Sequence, residues 1–111
     1  MTDKVALVIG AGVRGTAGFA AFASAKHSLR ALAQSMAREL GPQNIPVAHV
    51  IIDAAVDTAW IRQMFPDYEE RKRAEGIVNP DDLAANYVAL YQQPRNAWTF
   101  ELDVRPWNER W

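Results

Sequence analysis

Two short, continuous apolar runs constrain this chain more than any other feature. Val5–Ile9 (VALVI) and Val47–Ile52 (VAHVII) are rich in β-branched residues, and only His49 interrupts them. Runs of this kind read as strands buried on both faces, as in parallel sheets. Parallel neighbours need a long crossover between them. The intervening segment supplies one. From Ala17 to Leu40, Phe19, Phe22, Leu29, Ala33, Met36 and Leu40 recur at helical steps, Lys26 sits at the break in that stripe, and alanines fill the rest. Gly41-Pro42 is a stop signal.

The remainder continues the alternation. Asp53 follows the second run, and Thr58 to Phe65 reads as a short helix. Pro66 to Gly76 carries mixed charge and reads as a solvated helical face. Asn79-Pro80-Asp81-Asp82 is a helix start, with Leu83, Tyr87, Leu90 and Tyr91 as its stripe. Trp98 to Val104 alternates with period two, the pattern of a half-exposed strand. The order strand-helix-strand-helix-strand implies an α/β fold, a small Rossmann-like fragment with about three parallel strands. At 111 residues the chain reads as one domain, 1–111. Two substantial helices are few to cover both faces of such a sheet. Four tryptophans, four phenylalanines and three tyrosines also need cover, so a homo-oligomer, intimate or segment-swapped, is expected to complete the fold. Trp107 and Trp111 are expected to pack against a partner subunit.

Composition removes several function classes. A formal net charge of -1 removes the bulk electrostatic case for nucleic acid. The absence of cysteine excludes disulfides, thiolate catalysis and cysteine-based zinc sites. Two histidines without a matching carboxylate cluster give no metal site, and His49 reads as a satisfied core or interface histidine. No apolar run reaches membrane-span length, and the glycines after Ile9 interrupt the first run too early for a signal peptide. A cytoplasmic location is the expectation.

Gly10-Ala11-Gly12-Val13-Arg14-Gly15 is a literal G-x-G-x-x-G between a strand and a helix. In that context Gly10 permits the tight turn, Gly12 lets backbone approach a pyrophosphate, and Gly15 allows close helix packing. Asp53, at the end of the next strand, occupies the topological place of a ribose-binding acid. It lies much farther along the chain than the usual offset of about 20 residues. Plain turn geometry accounts for the same glycines, and Asp53 and Asp57 serve equally as caps of the following helix.

From Gly15 to Leu40 (GTAGFAAFASAKHSLRALAQSMAREL) and on through Ile52, the sequence resembles the short-chain dehydrogenase/reductase family. The helix resembles the one bearing that family's Tyr-x-x-x-Lys motif. The first dozen residues resemble its N-terminal strand and glycine turn, and Trp98–Val104 its last strand. The resemblance implies NAD or NADP as cofactor, with Lys26 at the lysine position and Thr58 at a threonine that contacts the nicotinamide side. It also implies dimers through the Ala17–Leu40 helix or tetramers.

The departures are specific. Phe22 stands at the tyrosine position, the positions of the catalytic serine fall at Ile9 and Gly10, and the strand carrying the active-site asparagine is missing. Family members are more than twice this long, and the middle of their fold has no counterpart here. Carbonyl reduction needs a proton donor beside the hydride acceptor, and only Lys26 remains of that set. The expectation is a family remnant without turnover, serving as an oligomeric scaffold or pseudo-enzyme. A residual NAD(P)-binding module using Gly10, Gly12, Gly15 and Lys26, with Asp53 and Thr58, and an oxidoreductase with an atypical proton donor, are the alternatives.

Overall fold

A computed structural model of the chain describes residues 6–9, for their backbone, and residues 17–110. Three strands form the main sheet: β1 (Ala6–Ile9), β2 (Val47–Ile52) and β5 (Glu101–Val104). Their order is β1-β2-β5, all parallel, with Val8 beside His49 and His49 beside Glu101. The α/β fragment with three parallel strands is therefore present. Two two-residue strands, β3 (Ala55–Val56) and β4 (Ile77–Val78), pair in a second small parallel sheet. They are too short for any period to show in the sequence.

Helix α1 (Ala20–Leu40) packs on β2 and β1. It begins three residues later than its alanine content suggests. Gly18 takes φ 85°, a left-handed conformation that ends the preceding turn instead of starting a helix. At the other end Gly41 stays right-handed. The chain leaves through a 3-10 turn over Gly41–Gln43, and Asn44 takes the left-handed position with its N–H on the Gly41 carbonyl.

Three short elements follow. α2 (Ala59–Met64) is capped by Thr58, whose Oγ1 accepts from the Ile61 N–H at 3.3 Å. α3 (Tyr68–Arg73) has Glu69 and Glu70 in its first turn and Arg71, Lys72 and Arg73 in its last, the sense that complements the helix dipole. α4 (Pro80–Tyr91) starts at Asn79, whose side chain accepts from the Asp81 N–H at 2.8 Å. Thr58, and neither Asp53 nor Asp57, is the cap that sequence reading sought.

The core lies along β2. Val47, Ala48, Val50 and Ile51 are buried there, and Ala33 is buried on α1, the helix packed against that strand. Period-two exposure across 98–104 is real only at its end. Residues 95–97 form a 3-10 turn, and pairing begins at Glu101. Trp107 stands 79% exposed on the single chain, and Phe19 and Phe22 also lie on the surface. They are not part of this chain's core.

The end of α3 carries a prediction. Gly76 N–H bonds the Arg71 carbonyl and Glu75 N–H the Lys72 carbonyl, the paired bonds of a Schellman motif. Its left-handed position is held by Glu75, at φ 62°, one residue before the glycine that would adopt it freely. A left-handed conformation costs a side-chain-bearing residue about 1–2 kcal/mol, part of which glycine returns through unfolded-chain entropy. Glu75→Gly is expected to stabilise the protein by up to about 1 kcal/mol. A urea midpoint that falls, at unchanged slope, contradicts this.

Candidate functional site

In open α/β sheets ligands gather at the carboxyl ends of the strands. Here an ion pair joins two of the strands at that end. Asp53 follows β2 and Arg105 follows β5, and Arg105 Nη1 reaches Asp53 Oδ2 at 3.0 Å. The Arg105 side chain is nearly buried and also holds Asp103. Asp53 N–H extends the ladder to the Val104 carbonyl at 3.1 Å. The carboxylate that sequence reading assigned to a ribose is thus one half of an inter-strand ion pair.

Four residues on, Asp57 gathers a denser group. Its Oδ1 accepts from Arg62 Nε at 2.9 Å and from the Tyr68 hydroxyl at 2.8 Å, while Lys72 Nζ lies 3.5 Å from Oδ2. These bonds, that from Arg62 first and that from Tyr68 next, hold the Asp57 carboxyl down at about 2. The Lys72 ammonium and the Arg62 guanidinium both lie over the buried Tyr68 ring. Tyr68 and Lys72 repeat the Tyr-x-x-x-Lys spacing, a recurrence that sequence reading passed over. The Tyr68 proton is engaged by Asp57, so the group bolts α3 onto the β3–α2 connection. Beside it, a cleft of about 430 Å³ opens between β4, the start of α4 and the end of β5, with Lys72, Asp82, Asn86 and Arg105 on its walls.

On α1, Phe22 and Lys26 share one face. Phe22 is 53% exposed, and Lys26 Nζ stands 5.5 Å from the centre of its ring. The lysine is half-buried, with its ammonium over the phenyl ring. Deeper in, the sheet holds a polar group of its own. Arg30 of α1 donates to Glu101 of β5, and His49 Nδ1 lies 3.3 Å from the same carboxylate oxygen. Arg30, foremost, and then His49 hold the Glu101 carboxyl below its ordinary range, against the opposing effect of its burial. His49 is fully buried, and its Nε2 has no hydrogen-bond partner among the described residues. The expected core histidine is present, satisfied on one side only.

No family model matches the chain, and no curated protein sequence matches it. Among solved structures, a short-chain dehydrogenase from Rhodopseudomonas palustris is 47% identical, with a TM-score of 0.66 and 93% of this chain covered. This chain is a relative of the short-chain dehydrogenases. It spans 38% of that dehydrogenase's length.

The short-chain dehydrogenase positions fall into separate places. Asp53 and Thr58 lie in one segment beyond β2, Phe22 and Lys26 lie on α1, and Gly10, Gly12 and Gly15 lie outside the described residues. Within the described part, two of these residues have partners inside the chain. Asp53 is ion-paired to Arg105 and the Thr58 hydroxyl is occupied as a helix cap. No group of histidine and acidic side chains suited to a metal occurs among the described residues, and no helix among them is long and apolar enough to cross a membrane.

Proposed function

We propose that this chain is a short-chain dehydrogenase remnant without dehydrogenase turnover, serving as an oligomeric scaffold. The observation that carries the reading is the Phe22–Lys26 pair. A phenyl ring stands where a phenol would donate the proton, and the lysine rests over that ring. A positioned general acid contributes about 10²–10⁴-fold to rate. Phenylalanine has no proton to give, and Asp53 and Thr58 are engaged within the chain. The assembly is a homodimer or homotetramer. Phe19, Phe22 and Leu32 on α1 and Trp107 beyond β5 supply exposed apolar surface for it. Ala31 lies on the exposed side of α1, whereas Ala33 is enclosed by this chain's own core and has no place in an interface.

The test combines calorimetric titration with NADH and NADPH and a carbonyl-reduction assay followed by loss of reduced-nicotinamide absorbance. No saturable heat at millimolar cofactor and no consumption above background are expected from folded protein. Saturable binding with turnover that Lys26→Ala abolishes would overturn the reading in favour of an oxidoreductase with another proton donor.

A further inference from the structure

β1 is an edge strand of unusual composition. β2 lies on one side of it, and among the described residues no strand lies on the other. Natural edge strands are guarded by charge, proline or a bulge. Ala6-Leu7-Val8-Ile9 has no charge, no polar side chain, no proline and no glycine. The opposite edge, β5, is guarded by Glu101 and Asp103, with Arg105 next in line.

The hydrogen-bond pattern shows which groups β1 offers. His49 N–H donates to the Phe100 carbonyl at 2.7 Å and Asp53 N–H to the Val104 carbonyl at 3.1 Å, so odd-numbered residues of β2 face β5. Ala48 and Val50 then face β1. With Leu7 beside Ala48 and Ile9 beside Val50, the parallel ladder directs the Val8 backbone groups inward and those of Leu7 and Ile9 outward. By the same alternation Glu101 and Asp103 face outward on β5. Antiparallel self-pairing of β5 would set Glu101 opposite Asp103 of the second copy, like charge against like. Self-pairing of β1 sets Leu7 opposite Ile9 of the second copy, twice over, with Val8 opposite Val8 on the axis. Every group brought together is apolar, and both outward residues exchange both of their hydrogen bonds.

We infer that two copies of this chain join edge to edge through β1, antiparallel about a two-fold axis at Val8. The inference deepens the oligomeric reading above and rests on it. The joined sheet has six strands, three from each copy. With the axis normal to the sheet, both α1 helices lie on one face of it, since α1 packs against β1 and β2 in each copy.

Sedimentation and amide hydrogen exchange on the full chain test this. The expected result is a dimer in which the Leu7 and Ile9 amides are protected, with that protection lost on dilution to monomer. Leu7→Pro removes one outward N–H and leaves the inward ladder of Val8 in place. It is expected to sediment as a monomer with the circular dichroism of the parent. A dimer whose Leu7 and Ile9 amides exchange freely overturns the inference, as does a Leu7→Pro protein that stays dimeric. Should Leu7→Pro fail to fold, the exchange pattern of the parent protein decides alone. An assembly that survives Leu7→Pro and falls apart with Ala31→Trp places the interface on α1, overturning edge pairing and keeping the oligomeric scaffold. A monomer at every concentration overturns both.

Discussion

Ile51→Ala is expected to lower the unfolding free energy by about 2–5 kcal/mol. Ile51 is 2% exposed and lies on β2, the central strand of the sheet, beside Asp103 of β5. Truncation loses the transfer free energy of the removed carbons and leaves a cavity that a central strand, fixed by ladders on both sides, is poorly able to close. Domains of this size are stable by about 5–15 kcal/mol, so the loss is a large share of the total. Urea unfolding at constant slope measures it. Ile51→Val, which removes one methylene, is expected to cost about 0.5–1.5 kcal/mol. A loss below about 1 kcal/mol for the alanine variant would show that the packed centre of the protein lies elsewhere.

The second large effect belongs to Glu101. Its carboxylate is held by Arg30 and is the hydrogen-bond partner of the buried His49. Glu101→Ala leaves His49 with neither ring nitrogen partnered among the described residues, since Nε2 has no partner there already. A buried polar group left unsatisfied costs about 1–3 kcal/mol, and that is the expected loss. Removing both groups together is different, because an apolar pair of similar shape leaves no buried histidine nitrogen unsatisfied, and the part-exposed Arg30 side chain turns to water. The Glu101→Leu/His49→Leu double variant is therefore expected to recover most of what Glu101→Leu alone loses. A double variant that loses the sum of the two single changes shows that the residues are not coupled.

The same carboxylate has a pH signature. Arg30, and less strongly His49, depress the Glu101 pKa in the folded chain. A depressed carboxyl stabilises the fold above its unfolded value of about 4.3. That contribution is lost as pH falls through the lower folded value. Glu101→Gln is expected to flatten the stability profile below the unfolded glutamate pKa. An acid limb identical to that of the parent protein would assign the acid response to other groups.

What sequence reading reached, and what it missed, follows from the range of the interactions. β2 was legible to the residue because its apolar run is continuous. The start of α4 was legible because Asn79 bonds to an N–H two residues on; the start of α2 was placed correctly, although its cap is Thr58 and not Asp53 or Asp57. Phe22 at the tyrosine position is also a local fact. The start of α1 was misplaced, because alanine content sets propensity while one left-handed glycine sets the boundary. β3 and β4 had no signal at all, since two residues cannot display a period. Asp53 shows in the sequence only as the residue that follows a strand; that Arg105 stands at the end of another strand and pairs with it is not legible there.

The sequence by itself determined the alternation of strands and helices, the kinship with short-chain dehydrogenases and the absence of a phenol on α1. Each rests on spacing along the chain or on a residue's own chemistry. Only the tertiary structure decided that Arg105 pairs with Asp53 across the carboxyl ends of β2 and β5. It alone showed that Glu101 partners a histidine fifty-two positions away, and that an apolar strand stands at the edge of the sheet among the described residues. The physical reason is that burial and ion pairing depend on which elements become neighbours in space, and many sequences of local preferences are compatible with more than one such set.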